Sequence, residues 1–197
     1  MARTIFYIDG FNLYYRALKG TRHKWLDIAA LSAAVMPNTC QIDTIKYYTA
    51  HVSGRVNPES PKKQHAYLRA IATLPKVAIY YGNFLVVQKW AGLVQPPDFR
   101  PVITLPPGPV PNVAYVWKTE EKGSDVNLGV HLVRDAFTNA FEHAAVITND
   151  TDLVEPIRIV TQELGLPVTL LTPTAKPSGV MTRVVRSCTI FMNKRGT

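Results

Sequence analysis

The sequence is poor in cysteine and contains no long hydrophobic run. Its 197 residues include two cysteines, Cys40 and Cys188, and these form no C-x-x-C pair. Isolated thiols are typical of a reduced, cytoplasmic protein, and the five scattered histidines add no zinc-binding spacing. No apolar run approaches the roughly 18 residues that cross a bilayer, and the N-terminal segment lacks the pattern of a signal peptide. We therefore expect a cytoplasmic protein that does not enter a membrane.

Acidic residues are in the minority as well. The chain has 22 lysines and arginines against 14 aspartates and glutamates, which gives a formal net charge of +8 at pH 7. Such an excess attracts polyanions, so nucleic acid is the first partner to consider and an acidic membrane surface the second. No long basic amphipathic helix supports the membrane. Neither a P-loop nor a G-x-G-x-x-G motif occurs, so no motif indicates a nucleotide cofactor.

Short strand-like runs alternate with helix-like runs along most of the chain. The composition, 47% hydrophobic and 18% charged, suits one globular domain over residues 1–197. Alternation of this kind predicts βαβ units, and hence an α/β fold with a mainly parallel sheet. The main predicted strands are Thr4–Ile8, Thr44–Val52, Lys76–Gly82, Ala144–Thr148 and Pro167–Thr172, and the main predicted helices are Ser60–Leu74, Ser124–Phe141 and Leu153–Gly165. A short helix around residues 179–186 and a strand at "TIFM" are expected at the end of the chain.

A proline-rich stretch interrupts this alternation. Seven of the fifteen prolines lie between Val94 and Val113. Proline fixes the backbone angle φ and removes a hydrogen-bond donor, so it is unsuited to the middle of a sheet. We predict an inserted arm at about residues 84–113, built as a hairpin with a stiff loop, whose role the sequence leaves open.

Four aspartates stand at the ends of predicted strands or at the starts of helices. Asp9 follows the first strand, Asp150 and Asp152 follow the strand that ends in "AAVIT", and Asp125 lies in the first turn of a helix. Parallel sheets bind ligands beyond the carboxyl ends of their strands. Carboxylates that converge there repel one another unless a cation neutralises them, and hard ions such as Mg²⁺ or Mn²⁺ prefer oxygen ligands. The pattern predicts a metal site formed by these acids.

Two of these acids also have a purely structural interpretation. Asp125 suits the positive end of the helix dipole. Asp152 is placed to act as the N-cap of the next helix, with Glu155 three residues later as in a capping box.

Three segments of the sequence resemble the motifs of one family. These are "FYIDGFNLYY", "EEKGSDVNLGVHLVRDAF" and "AVITNDTDLVEPIRIV". Together they resemble NYN-domain proteins, the LabA-like branch of the PIN-like nuclease superfamily, over about residues 3–171. The resemblance implies a Rossmann-like three-layer α/β/α sandwich and cleavage of RNA. Two departures are visible: Thr-Asn-Asp replaces the common Ser-Gly-Asp, and His131 occupies a position where an acid is frequent.

The resemblance also implies roles for individual residues. Asp9, Asp125 and Asp150 would form the metal centre, and Asp152 would complete it. Asn12 would orient a ligand or a substrate phosphate.

Other residues near these motifs are candidates for RNA contacts. Tyr15 and Arg16 could stack a base, although aromatic residues at helical spacing are more often core. Lys118 and Lys122 could hold a phosphate.

The helix face formed by Asn127, His131 and Asp135 is open to two interpretations. His131 oriented by Asp135 could shuttle a proton, but a solvated helix face is the favoured prediction.

We therefore expect an Mg²⁺- or Mn²⁺-dependent hydrolase of the endoribonuclease type that acts on RNA, and on single strands if the aromatic residues stack bases. The alternative is a non-catalytic RNA-binding or regulatory module that retains the pocket. A phosphatase for small substrates fits the charge of +8 poorly. The sequence does not distinguish internal from terminal cleavage, and it leaves the oligomeric state open, a homodimer included.

Overall fold

A computed structural model describes residues 1–55, 57–105, 107–185 and 187–190. Seven strands form one sheet in the order β4-β3-β2-β1-β5-β6-β7. Every neighbouring pair is parallel except β3 and β4, which are antiparallel. The strands are β1 (Ala2–Asp9), β2 (Cys40–Ala50), β3 (Val77–Gly92), β4 (Val113–Lys122), β5 (His143–Ile147), β6 (Val168–Thr172) and β7 (Ser187–Ile190).

Helices cover both faces of this sheet. The α-helices are α1 (Gly10–Leu13), α2 (Ile28–Val35), α3 (Glu59–Ile71), α4 (Ser124–Phe137), α5 (Val154–Arg158) and α6 (Gly179–Arg183). A π-helical turn, Tyr14–Leu18, continues α1, while a 3-10 turn, Thr151–Leu153, precedes α5 and a second π-helical turn, Ile159–Glu163, follows it.

The central strand β1 explains the three layers. Its side chains alternate between two hydrophobic clusters, as the period of a strand requires. Tyr7 packs with α4, α5 and α6 on one face, whereas Phe6 and Ile8 pack with α1, α2 and α3 on the other. All three side chains are fully buried. The predicted α/β fold with a mainly parallel sheet between helical layers is confirmed.

The third predicted strand is longer than expected. Instead of ending at Gly82, β3 continues to Gly92 and pairs with β4 from Asn83–Lys122 to Gly92–Val113. The run of β-branched and aromatic residues after Gly82 accounts for the extension. The predicted insertion of about 84–113 thus begins inside a strand. The described residues between 93 and 112 contain neither helix nor strand, and a distinct arm there stays a prediction.

The helix face of α4 that was expected to be solvated is partly buried. Asp135 is 3% exposed and forms an ion pair with Lys46 of β2, which is 7% exposed. Tyr7 donates a hydrogen bond of 2.7 Å to the Asp135 carboxylate, and Arg134 donates another of 2.8 Å. The prediction of a solvated face is therefore wrong at Asp135. A local helical pattern cannot reveal a partner on a distant strand.

Among the described residues, His131 forms no hydrogen bond with Asp135. Its Nδ1 atom lies 3.0 Å from the hydroxyl of Tyr48. Burial lowers the pKa of His131, and the nearby charges of Arg134 and Lys46 lower it further. The alternative of an imidazole oriented by Asp135 is not supported by this geometry.

The end of the chain agrees with the sequence only in part. The short helix expected around residues 179–186 is α6, and the expected strand "TIFM" corresponds in its first two residues to β7. The last two residues of that predicted strand lie outside the described residues. No helix in the described ranges is long and apolar enough to cross a membrane.

Candidate active site

The strand order reverses between β1 and β5. From β1 the chain proceeds through β2 to β3 on one side, and β5 leads to β6 and β7 on the other. The carboxyl ends of the strands at such a switch point border a crevice, which is where open α/β sheets bind ligands. Asp9 is the last residue of β1, and Asp150 follows the end of β5 by three residues. The topology therefore places two of the four predicted acids at the switch point.

Asp9 is held by the start of α1 and by the loop after β5. One of its carboxylate oxygens accepts a hydrogen bond of 2.9 Å from the backbone N–H of Asn12, so that Asp9 caps α1. The other oxygen accepts one of 3.0 Å from the hydroxyl of Thr148. The same hydroxyl accepts a bond of 3.0 Å from the backbone N–H of Asp150. Thr148 thus links the two acids.

A second bridge fixes the loop after β5. The amide oxygen of Asn12 accepts a hydrogen bond of 3.0 Å from the backbone N–H of Asn149. The side chain of Asn149 in turn accepts one of 2.9 Å from the backbone N–H of Ser178, just before α6. Asn12 therefore positions the site through its side chain, a contact that does not require a substrate.

Sequence reasoning did not assign roles to Thr148 and Asn149, although a signal was present. The motif Thr-Asn-Asp departs from the Ser-Gly-Asp of the family, and the departure adds an amide side chain where glycine has none. In the structure that amide binds the segment before α6. The replacement of the family's glycine by Asn149 was therefore the signal in the sequence for this additional contact.

The prediction that Asp152 caps the following helix is wrong. The carboxylate of Asp150 accepts the hydrogen bond of 3.1 Å from the backbone N–H of Asp152 and caps the 3-10 turn. Leu153, at the N-cap position of α5, makes no side-chain cap. Glu155 forms an ion pair with Arg158 instead of closing a capping box. The exposed carboxylate of Asp152 is thus not used in capping.

Asp125 lies in the first turn of α4, close enough for its charge to raise the pKa of Asp9. Gly123 adopts the left-handed conformation, with φ 91°, and so turns the chain from β4 into the helix. A side chain at Gly82 would collide with this start, because its Cβ would lie 2.7 Å from the backbone nitrogen of Ser124. The close approach of β3 and α4 requires glycine there and fixes the origin of α4. The dipole interpretation of Asp125 remains compatible with this position.

The charges of these acids act on one another. Burial raises the pKa of Asp9 to about 6, and the charges of Asp150 and Asp125 add to the increase, while the hydrogen bonds from Asn12 and Thr148 oppose it. No lysine, arginine or histidine forms an ion pair with Asp9, Asp125, Asp150 or Asp152 in the described part of the chain. Although the protein has a net charge of +8, its basic side chains thus leave these four acids without an ion-pair partner among the described residues.

The donor set suits a hard divalent cation. It consists of carboxylates, and one of these residues, Asp9, is only 7% exposed. A bound cation relieves the repulsion between such carboxylates. The side chains do not yet surround a common point. No group of three or more His, Cys, Asp or Glu residues could jointly hold an ion in the regions that the structure describes. The residues fit Mg²⁺ or Mn²⁺ by chemistry and by place in the fold, and the predicted four-ligand set stays a prediction.

The pKa of Asp9 leads to a test by pH. In the metal-free protein the folded state keeps the Asp9 proton up to about pH 6, whereas the unfolded chain loses it near pH 3.8. This proton stabilises the fold below pH 3.8, and its contribution is lost as pH rises through about 6, a change of about 3 kcal/mol. Urea unfolding across this range, in chelator, should show a fall in stability that Asp9→Asn removes. An identical pH profile in the variant would contradict the assignment.

Of the predicted substrate-binding residues, Asn12 contacts Asp9, whereas the other four form no hydrogen bond or ion pair with Asp9 among the described residues. Tyr15 lies on the π-helical turn after α1 and lines a cavity that Asp9 does not line. Arg16 is exposed on the same turn. Lys118 and Lys122 lie on β4, and both form ion pairs with Glu120. Their roles stay predictions.

A mainly parallel seven-stranded sheet between helical layers, with Asp9 buried at its switch point, defines the class of protein: a Rossmann-like α/β protein. The family model of the NYN domain matches residues 3–193. The chain therefore belongs to the NYN domain family, which is of the PIN-like nuclease type, and the resemblance seen in its three motifs is confirmed.

Two individual proteins are similar to this chain. A curated relative from Pseudomonas putida (strain DSM 28022 / S16), named 6-hydroxy-3-succinoylpyridine 3-monooxygenase HspA, is 31% identical over an alignment of 194 positions that covers 88% of this chain and 60% of that protein. The chain thus spans about 60% of the length of that relative. The crystal structure of VPA0982, a protein of unknown function from Vibrio parahaemolyticus RIMD 2210633, has a TM-score of 0.53 at 14% identity, with 96% of this chain and 92% of that chain covered. This second likeness concerns the fold alone.

Proposed function

We propose that this protein is a metal-dependent ribonuclease that hydrolyses RNA phosphodiester bonds at the switch-point acids. The observation that carries the proposal is the pairing of Asp9 and Asp150 through Thr148, with no basic side chain to neutralise either acid in the described residues. Membership of the NYN family supports it. A basic protein whose switch-point acids form no ion pair among the described residues is suited to collect a polyanion and a cation together.

Each residue of the site has a distinct part in this proposal. Asp9, Asp125 and Asp150 would hold the ion, with Asp152 as a further ligand from the adjacent turn. When bound, Mg²⁺ or Mn²⁺ supplies a water of lowered pKa and stabilises charge on the leaving oxygen. Thr148 fixes the spacing of Asp9 and Asp150 by its two hydrogen bonds. Because these contacts form within the fold, the carboxylates are oriented before RNA arrives.

The basic and aromatic surface would bind the RNA strand. Tyr15 and Arg16 are exposed on the turn that follows α1, close in sequence to Asn12. Aromatic rings of this kind stack unpaired bases, which favours single-stranded RNA. Lys118 and Lys122 would leave their ion pairs with Glu120 and bind a phosphate of the RNA instead. Breaking exposed ion pairs costs little free energy.

Cleavage of labelled single-stranded RNA in Mn²⁺ tests the proposal. Asp150→Asn should abolish cleavage and leave RNA binding intact, since the amide keeps the cap but loses the charge that holds the ion. Asp43→Asn removes an equally negative, exposed side chain on β2 and should cut as the parent does. Equal rates for the parent and the Asp150 variant would show the site to be wrong. RNA binding without cleavage by the parent would favour the non-catalytic RNA-binding module.

A second candidate function is oxidation of a small aromatic acid. The observation that favours it is the 31% identity to a protein named as a 6-hydroxy-3-succinoylpyridine 3-monooxygenase. To distinguish the two candidates, the protein is incubated in air with 6-hydroxy-3-succinoylpyridine and an added reductant, and the consumption of O₂ is measured. Turnover of the pyridine that persists in Asp150→Asn would favour the second candidate, because the switch-point acids have no assigned part in it.

A further inference from the structure

A cavity of about 570 Å³ lies beside the π-helical turn after α1. Its walls come from α1 and this turn, from the loop that follows it, from the end of β2 and the loop after β2, and from α3. The volume falls within the roughly 300–1,000 Å³ of small-molecule sites. Asp9, Asp125, Asp150 and Asp152 do not line it. The cavity therefore lies beside the candidate active site, because Gly10, the residue after Asp9, lines it, but it does not include the four acids.

Aromatic side chains form much of the cavity wall. They come from every element that surrounds it, and Tyr67 stands at their centre. Its ring lies 6.3 Å from that of Trp25 and 6.3 Å from that of Tyr47, and its hydroxyl donates a bond of 2.9 Å to the backbone of Leu26. The wall is thus preformed on three elements. The aromatic lining residues are Phe11, Tyr14, Tyr15, Trp25, Tyr47 and Tyr67.

The charge around the cavity has one sign. Lys19, Lys24 and Lys63 line it, and none of its described lining residues is acidic. Lys19 lies with its ammonium 4.8 Å from the centre of the Tyr15 ring, so that a cation and an aromatic face are presented together. Converging lysines without an acid indicate an anionic ligand.

One polar group on a lining residue of the cavity has no hydrogen-bond partner among the described residues. Tyr47 is only 5% exposed, and its hydroxyl has no hydrogen-bond partner among the described residues. The Tyr47 hydroxyl oxygen keeps some exposure to solvent, since no fully buried side-chain nitrogen or oxygen atom of the described residues lacks a hydrogen-bond partner. Gly10 lies against this ring, because a Cβ there would be 2.6 Å from Tyr47 Cζ. A nearly buried phenol that lines a cavity without a partner is placed to bond a ligand.

We propose that this cavity binds a planar aromatic ring that carries an anionic group. The ring stacks against the aromatic wall around Tyr67, the anion contacts Lys63 and Lys19, and the Tyr47 hydroxyl bonds a polar atom of the ring or the anion. Two sources share this chemistry: a nucleoside monophosphate and a small aromatic carboxylate. The proposal rests on the cavity alone and goes beyond the cleavage chemistry proposed for the acids.

Calorimetric titration in metal-free buffer tests the cavity with defined probes. The two arms of the experiment are benzoate and uridine 5′-monophosphate. Benzoate is compared with cyclohexanecarboxylate, which lacks the aromatic ring, and uridine 5′-monophosphate is compared with uridine, which lacks the anion. At least one of the two arms should bind, and its matched compound should bind more weakly. Which arm binds identifies the source. Equal binding of benzoate and cyclohexanecarboxylate, or no binding of either arm at millimolar concentration, would overturn the proposal.

Variants locate the binding in this cavity. Tyr47→Phe should weaken the better probe about fivefold, the effect of one lost hydrogen bond. Lys63→Gln should weaken it by a similar factor, whereas Lys62→Gln, at a neighbouring lysine paired with Glu59 outside the cavity, should not. Equal effects of the two lysine variants would refute the site.

One further variant separates this proposal from that for the acids. Asp150→Asn should bind the probe as the parent does, even though it is expected to lose RNA cleavage. A loss of probe binding in Asp150→Asn would overturn the assignment of the ligand to a separate cavity. Normal probe binding together with unimpaired cleavage would instead refute the ribonuclease site and leave the cavity site intact.

Discussion

Mn²⁺ should raise the melting temperature of the metal-free protein by about 5–10 °C, and chelator should reverse the increase. An ion that binds the folded site and not the unfolded chain stabilises by mass action, by about 2.7 kcal/mol at a hundredfold excess over its dissociation constant. The acids at the switch point supply the reason. The negative charges of Asp150 and Asp125 raise the pKa of Asp9, and a bound cation replaces this repulsion by attraction. Calorimetric melting with and without Mn²⁺ measures the effect.

The variant Asp150→Asn should lose most of this response. An amide caps the 3-10 turn about as well as a carboxylate, so the metal-free variant should melt no lower than the metal-free parent. It also removes a charge that repels Asp9. Asp43→Asn, on the exposed part of β2, serves as the control and should keep the full response. Equal shifts in the parent and in Asp150→Asn would show that the acids do not share an ion.

The strand-end positions of Asp9 and Asp150 could be predicted from the sequence because they depend on local pattern. Asp9 and Asp150 each follow a buried apolar run, and such runs end where a strand reaches the edge of the sheet. Parallel pairing then brings the strand ends to the same edge, and the observed order places β1 beside β5. The motif resemblance named the same residues. Two independent signals thus converged on the same edge of the sheet.

The contacts that hold these acids were not predictable in the same way. Thr148 bonds Asp9 across 139 residues of sequence, and Asn149 bonds Ser178 across 29. The predicted cap at Asp152 was wrong for a related reason. Two neighbouring acids suit the same turn, and the composition does not say which of them the loop after β5 turns toward the backbone. Asp150 occupies that position.

Gly82 shows how a correct signal led to a wrong boundary. Glycine after an apolar run usually indicates a turn, which is why the third strand was expected to end there. The structure uses this glycine for close packing, since a side chain would collide with Glu121, Lys122 and Ser124. The strand continues because "NFLVVQKW" keeps a high tendency to form strand. Only the position of α4, set by tertiary packing, distinguishes the two uses of glycine.

Loss of one member of the Lys46–Asp135 pair should destabilise the protein by about 3–5 kcal/mol. Both side chains are almost fully buried, so either one alone would leave an uncompensated charge away from water. Lys46→Met leaves Asp135 with Tyr7 and Arg134, whereas Asp135→Leu leaves Lys46 without its carboxylate partner. We expect Asp135→Leu to be the more damaging change. Urea unfolding measures both variants.

The double variant distinguishes a true charge pair from two separate packing effects. Lys46→Met with Asp135→Leu removes both charges, so it should cost less than the sum of the single changes, by a coupling energy of at least about 1 kcal/mol. The exposed pair Lys62–Glu59 is the control, and its cycle should give a coupling below about 1 kcal/mol. Additive effects at Lys46 and Asp135 would show that the pair is not coupled.

Because Asp135 lies on α4, whose first turn carries Asp125, loss of the pair should also weaken the stabilisation by Mn²⁺. A double variant that keeps the full response to Mn²⁺ would show that α4 is held in place without the buried charges.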